Sequence, residues 1–246
     1  DFRNSITNPL LFFGVFLNSN GERLRLALKA VIFDLDGTLI NSAIPFKKMK
    51  TRIIKYLEDA GVTPGLLNEE MLNFEITRKA VDDLKSKGFS EKYIKKTLDE
   101  VSNLMNEVEL ESSDDASLIP GVPETLKALK DQGLKLGLMT RSCRKYAEKI
   151  LGKFGLRRYF DVILARDDIE NPKPDPSHAI ELLKLLNVSA EETLFIGDHW
   201  SDAECAKSSG LKFVLFRRDE NSHVEKSEFS KIRNIKEILR IIKGNG

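Results

Sequence analysis

Four short segments of this 246-residue chain carry side chains whose types and spacing can do chemistry. The first is Asp34-Leu35-Asp36-Gly37-Thr38, which sets two carboxylates at i and i+2 after an apolar run and before a glycine turn. Two like charges about 4 Å apart repel by roughly 4 kcal/mol at an effective dielectric of 20, so the pair is a poor device for stability alone. A cation must offset the repulsion, or one group must hold a proton. Attack on phosphorus uses both: an ionised Asp34 is the nucleophile, while Asp36 gives a proton to the leaving oxygen and later takes one from water. The competing structural role is a polar turn at the end of a strand.

The second segment is Thr140, at the end of the apolar run Leu134–Met139 and followed by Arg141 and Ser142. A hydroxyl and a guanidinium beside the free N–H groups of a helix start suit phosphate oxygens; as plain structure, Ser142 would be an N-cap. The third is Asn171-Pro172-Lys173-Pro174-Asp175-Pro176, where three prolines stiffen the backbone around one lysine. A rigidly held ammonium can neutralise both a nucleophilic carboxylate and an incoming phosphate. The fourth, Gly197-Asp198-His199-Trp200-Ser201-Asp202, places two more carboxylates four residues apart on one face of a starting helix. Oxygen ligands completed by water suit Mg²⁺. His199 is a poorer candidate for a hard cation, and Trp200 reads as packing or a pocket wall.

The elements that must position these segments follow from hydrophobic patterning. Ala30–Asp34, Leu134–Met139, Asp161–Ala165, Thr193–Gly197 and Phe213–Phe216 are nearly continuous apolar runs, as strands buried on both faces must be. Helical patterns separate them, which predicts a parallel α/β sheet. Ligands of such sheets bind outside the carboxyl ends of the strands, where all four segments would meet. Asp175 before Pro176 predicts an N-cap opening a helix through Leu186, and Ile235, Ile238, Leu239 and Ile242 predict a final helix packed on the sheet.

Residues 43–117 interrupt the alternation with helical patterns alone. Phe46, Met49, Ile53 and Leu57 line one face, and Ile94, Leu98, Val101, Met105 and Val108 line another, opened by Ser90. The expected organisation is therefore a core of residues 29–42 and 118–246, a helical insertion at 43–117, and an N-terminal extension, 1–28, of unknown role. The insertion is placed to act as a lid hinged at Asn41–Ser42 and Ser112–Ser117. Its Lys47, Lys48, Lys50, Arg52, Arg78 and Lys79 could meet a substrate anion, although a solvated helix face is the simpler role for each.

Bulk properties exclude several classes. Hydrophobic residues make up 41% and charged residues 31%, and a net charge of +1 gives no bulk attraction to nucleic acid or acidic lipid. The longest apolar run, Leu10–Leu17, is broken by Gly14 and too short for the ~30 Å of a bilayer core, so no membrane span or signal peptide is expected. Cys143 and Cys205 sit outside any disulfide or zinc pattern, which fits a reducing cytosol, and both read as small helix positions against the core. A monomer is compatible with this composition.

Taken in order and spacing, DLDGT, the strand ending in Thr140, the lysine of NPKPDP and the GDHWSD segment resemble the four motifs of the haloacid dehalogenase superfamily. The entry Leu118-Ile119-Pro120-Gly121-Val122 is similar too, and the resemblance spans residues 29 to about 242. It implies a Rossmann-like parallel sheet of order 3-2-1-4-5 and an aspartyl-phosphate intermediate on Asp34. It also implies Mg²⁺ held by Asp34, the backbone carbonyl of Asp36 and Asp198, with Asp202 assisting directly or through water. The insertion resembles the helical cap of the phosphoglycolate phosphatase and β-phosphoglucomutase branch. The expected function is a cytoplasmic phosphatase of a small phosphorylated metabolite. A phosphomutase, an inorganic pyrophosphatase and, more remotely, a catalytically silent binding module are the alternatives.

Overall fold

In the computed structural model, which describes residues 15–17, 23–25, 28–217 and 229–243, strands and helices alternate through most of the chain. Two short strands, β1 (Val15–Leu17) and β2 (Arg23–Arg25), pair antiparallel within the N-terminal extension. Leu10–Gly14, the larger part of the long apolar run, lies outside the described residues. Next come β3 (Ala30–Phe33) and β4 (Ile40–Asn41), and then helices α1 (Phe46–Asp59), α2 (Asn73–Ser86) and α3 (Glu91–Ser112). The chain continues through β5 (Ser117–Leu118), α4 (Val122–Asp131), β6 (Lys135–Met139), α5 (Arg144–Lys153), β7 (Val162–Leu164) and α6 (Pro176–Leu186). It ends with β8 (Thr193–Gly197), α7 (Trp200–Ser209), β9 (Lys212–Phe216), β10 (Ser230–Ile232) and α8 (Ile238–Lys243). No described helix is long and apolar enough to cross a membrane.

The chain divides into two compact units, one built from the segments up to Asn41 and from Ser117 onward, the other being Ser42–Ala116. The first is organised by a parallel six-stranded sheet of order β10-β9-β8-β3-β6-β7. Five of its members, β7-β6-β3-β8-β9, follow the expected 3-2-1-4-5 order, and β10 adds a sixth strand beyond β9. The sequence did not mark that strand because Ser230-Lys231-Ile232 is short, and Ile232 is its one buried side chain.

β3 lies at the centre of the sheet with all four side chains fully buried. Its even positions, Ala30 and Ile32, share an apolar cluster with Leu182 and Leu186 of α6, Phe195 of β8, Cys205 of α7 and Phe213 of β9. Full burial of each large aliphatic or aromatic side chain contributes about 1.5–3 kcal/mol, so this face anchors the sheet rigidly. Register then decides where the chemistry goes. Phe33 stands opposite Leu138 on one side and Ile196 on the other. The residues just beyond those positions, Asp34, Thr140 and Asp198, therefore emerge at the same sheet edge.

The helical unit buries Met49, Ile53 and Leu57 of α1, Ile76, Ala80 and Leu84 of α2, and Ile94, Val101, Met105 and Val108 of α3. Two sequence assignments change. Phe46 is 50% exposed because it opens α1 rather than continuing its buried stripe, and Thr97 takes the fully buried position expected for Leu98. The two expected hinges are also more ordered than their polarity suggested. α3 runs through Ser112, and β4 pairs antiparallel with β5, with Asn41 Nδ2 donating to Ser117 Oγ at 3.1 Å. The final helix, α8, packs against α4.

Candidate active site

The turn after β3 is fixed by backbone bonds: Asp34 N–H still donates to Ile196 O at 2.9 Å, and Leu35 O accepts from Leu39 N–H at 2.9 Å. Gly37 is required within this turn. Its φ is +87°, and a Cβ built there would lie 2.1 Å from Asp198 Oδ2. The absence of a side chain lets the Asp198 carboxylate lie against the turn after β3, where Thr38 Oγ1 donates to Asp198 Oδ1 at 3.4 Å. Gly197 makes the equivalent clearance for Asp202, whose Oδ2 would stand 2.5 Å from an added Cβ.

Lys173 is the hub. Its buried ammonium donates to Asp34 Oδ1, Asp202 Oδ1 and Met139 O, each at 2.7 Å. An ammonium has three N–H donors, and here all three are used on protein oxygens. Burial alone would lower its pKa, but Asp202 and Asp34 outweigh burial and hold it above the usual lysine range. The carboxylates are the strained partners. Burial pushes Asp34 well above the ordinary carboxylate range; Lys173 pulls it back, while Asp202, Asp198 and Asp36 add to the rise. Burial, then Asp202, raises Asp198 to about 7.

Asp34, Asp198 and Asp202 bring ligand-type oxygens within 4.8 Å of one another. Three carboxylates around one ammonium leave two negative charges uncompensated, which matches one divalent cation. The donor set is all oxygen, so it fits Mg²⁺ or a similar hard ion. Asp202 is the most committed of the three, since its Oδ2 also accepts from His199 N–H at 3.0 Å while its Oδ1 holds Lys173. The Asp36 side chain stands apart from this set. Ser142 Oγ donates to its Oδ2 at 2.7 Å and Tyr146 Oη to its Oδ1 at 3.1 Å.

Thr140 is buried at the end of β6, where its Oγ1 accepts from Ser142 N–H at 3.0 Å. Arg141 is half-buried. Burial pulls its guanidinium below the usual arginine range, against the attraction of Asp202 and Asp34. Arg166 braces the backbone here by donating to Arg141 O at 2.9 Å. The helix cap falls one residue later than the sequence suggested: Cys143 Sγ, rather than Ser142 Oγ, accepts from Tyr146 N–H, at 3.5 Å. That substitution releases Ser142 to Asp36 and takes Cys143 out of the helix interior, whereas Cys205 lies inside α7 as expected. His199 is the N-cap of α7, with Nδ1 accepting from Ser201 N–H at 3.3 Å.

Several of the basic side chains singled out in the helical unit already have local partners. Lys47 faces Glu69 at 3.6 Å, Lys50 Nζ donates to Glu69 O at 2.7 Å, and Arg52 pairs with Glu107 at 3.0 Å. They behave as surface charges of the unit itself.

A family model described as haloacid dehalogenase-like hydrolase matches residues 31–216, an interval holding all four segments. The chain belongs to that family. Among curated relatives of this hydrolase, a phosphoglycolate phosphatase of Aquifex aeolicus (strain VF5) is 30% identical over 195 residues, which is 76% of this chain and 84% of that protein. The pyrophosphatase PpaX of Bacillus cereus (strain B4264) is 30% identical over 186 residues, 75% of this chain and 81% of that protein. A crystal structure of a predicted phosphoglycolate phosphatase from Haemophilus somnus 129PT shares 26% identity at a TM-score of 0.58, over 87% of this chain and 97% of that one.

Sequence reasoning missed two residues of the candidate site. Tyr146 reads as an ordinary apolar position of α5, because its hydroxyl partner lies 110 residues away in sequence. His178 is fully buried, its Nδ1 accepting from Lys173 N–H and its Nε2 facing Leu164 O, both at 3.1 Å. Burial, then the charge of Lys173, lowers its pKa to about 3, so the ring stays neutral with its proton on Nε2. A histidine on the apolar face of the helix that follows the lysine loop was the available signal.

Proposed function

We propose that this hydrolase is a Mg²⁺-dependent phosphatase of small phosphorylated metabolites, phosphoglycolate-like acids or sugar phosphates, and that it works through an aspartyl-phosphate on Asp34. One observation carries the reading: Asp34 Oδ1 is fixed on the Lys173 ammonium at 2.7 Å, in a cluster with Asp198 and Asp202 and two residues before a second carboxylate. Asp34, the Asp36 backbone carbonyl and Asp198 would hold the cation, with Asp202 supporting. A divalent cation there supplies positive charge to the phosphoryl oxygens and the nucleophile.

The chain's own groups do the rest. Lys173 keeps Asp34 oriented, and because its N–H groups are all taken, it acts on an incoming phosphate by charge rather than by a direct bond. Arg141 and the Thr140 hydroxyl lie beside the same edge as phosphate-binding groups. Asp34 attacks phosphorus, Asp36 protonates the departing oxygen, and in the second half Asp36 takes a proton from the water that releases phosphate. The buried thiols of Cys143 and Cys205 suit a reducing cytoplasm.

The test is a substrate panel of phosphoglycolate, hexose phosphates, pyrophosphate and p-nitrophenyl phosphate with Mg²⁺, alongside trapping of the phosphoenzyme. The carbon-based monoesters should be turned over with an acid-quench-stable phosphoenzyme that Asp34→Asn cannot form. Normal turnover by Asp34→Asn would overturn the covalent mechanism. Pyrophosphate as the best substrate would move the reading to the pyrophosphatase activity named for the Bacillus cereus relative.

A further inference from the structure

The Asp36 carboxylate is gripped at both oxygens by hydroxyl groups, Ser142 Oγ at 2.7 Å and Tyr146 Oη at 3.1 Å. Ser142 comes from the β6–α5 connection and Tyr146 from the first turn of α5, 106 and 110 residues away in sequence. That connection is itself rigid. Ser142 N–H donates to Thr140 Oγ1 at 3.0 Å, Ser142 O accepts from Arg166 N–H at 3.1 Å, and Tyr146 is fully buried on the first turn of α5. A phenylalanine would fill the Tyr146 site as well as tyrosine does, and a buried hydroxyl is costly unless it is hydrogen-bonded. The hydroxyl is therefore there for its partner.

The choice of donor is informative. A backbone N–H or an ammonium can only donate, whereas a hydroxyl can donate or accept by rotating about its C–O bond. A carboxyl that gives a proton in one half-reaction and takes one in the other needs neighbours that can follow it. We infer that Tyr146 and Ser142 are positioning residues that hold the Asp36 carboxyl in place for proton transfer to and from the reacting oxygen. The inference rests on the reading of Asp36 as general acid and base. In the first half-reaction an Asp34 carboxylate oxygen bonds to phosphorus as the ester P–O bond breaks, the electron pair of that bond stays on the leaving oxygen, and the Asp36 proton goes to that oxygen. In the second, water oxygen bonds to phosphorus, the Asp34 oxygen departs with its electron pair, and the water proton goes to Asp36.

Proton donation matters for a basic alkoxide and hardly at all for p-nitrophenolate, so the test is dependence on the leaving group. Wild type, Tyr146→Phe, Ser142→Ala and Asp36→Asn are compared on an alkyl phosphate and on p-nitrophenyl phosphate, with the maximal rate of phosphoenzyme formation and the half-saturating substrate concentration measured in single turnovers, ahead of the dephosphorylation step that both substrates share. Tyr146→Phe should lower that rate on the alkyl phosphate by about 10-fold or more, with a much smaller loss on p-nitrophenyl phosphate and little change in the half-saturating concentration; Ser142→Ala should do the same. Ser142→Thr, which keeps a hydroxyl, should recover the alkyl activity. Equal losses on both substrates, or none, would overturn the inference, because a merely structural role has no reason to sense the leaving group. Asp36→Asn separates the two levels. If it shows the leaving-group bias and Tyr146→Phe does not, only the positioning role fails; if it shows no bias, the acid–base reading fails with it.

Discussion

At Lys173 one side chain carries two burdens, orienting Asp34 and neutralising Asp202, with a side chain that is 1% exposed. Removing one partner of a buried charge group leaves the others uncompensated, at a cost of about 3–5 kcal/mol. Lys173→Met should therefore lose stability of that order in urea unfolding and lower kcat at least 100-fold, while an exposed pair such as Lys127–Asp131 should contribute almost nothing. His178 makes a prediction in pH. Its folded pKa, about 3, lies below the ordinary 6.5, so the unfolded chain binds the proton first. The stability it contributes is complete above pH 6.5 and is lost as pH falls toward 3, with a slope approaching ~1.4 kcal/mol per pH unit. His178→Gln can keep both hydrogen bonds without titrating, so its urea stability between pH 4.5 and 7.5 should fall less steeply than that of wild type. Parallel slopes would show that the ring is not buried neutral.

Among the elements, the β3 turn and the start of α7 are interlocked through glycines. Gly37→Ala puts a methyl group 2.1 Å from Asp198 Oδ2 at a φ of +87°, so both backbone and carboxylate must move. We expect a loss of about 1–3 kcal/mol in stability from the strained backbone, and a weakened Mg²⁺ affinity by calorimetry because Asp198 is displaced. Unchanged metal affinity would mean that Asp198 is not held by this turn. The strands β3, β6, β7, β8 and β9 were legible in the sequence because doubly buried strands are apolar throughout. So was the α6 cap, because Asp175 Oδ1 accepts from Ser177 N–H at 2.9 Å in the expected local pattern. β10 was not, since a three-residue edge strand with one buried side chain carries no period. Phe46 misled because an aromatic in phase with a helical stripe lies on its buried face only if the neighbouring element reaches that far.

For the whole molecule, three carboxylates gathered at one sheet edge make the folded state an anionic trap, so a divalent cation should bind it far better than the unfolded chain. Mg²⁺ at about 100 times its dissociation constant should add roughly 2.7 kcal/mol to stability and raise Tm, an effect that Asp198→Ala should abolish. Chelator should remove phosphatase activity, and Ca²⁺ should not restore it, because its larger and looser shell misplaces the nucleophile. A Tm indifferent to Mg²⁺ would sink the proposed metal set. By itself the sequence determined the alternation of elements, the parallel sheet and the residue types at the strand ends, because hydrophobic period and turn chemistry are local. It named Asp34, Asp36, Thr140, Arg141, Lys173, Asp198 and Asp202 for the same reason: each stands just after a strand, in the first turn of the helix that follows one, or in a proline-stiffened loop. Only the tertiary structure decided that Lys173 uses all three N–H groups on protein oxygens, that Tyr146 and Ser142 hold Asp36, and that His178 secures the lysine loop. All of those contacts but the last join residues far apart in sequence that sheet register brings side by side, and register depends on the packing of the whole core rather than on any stretch of chain within it.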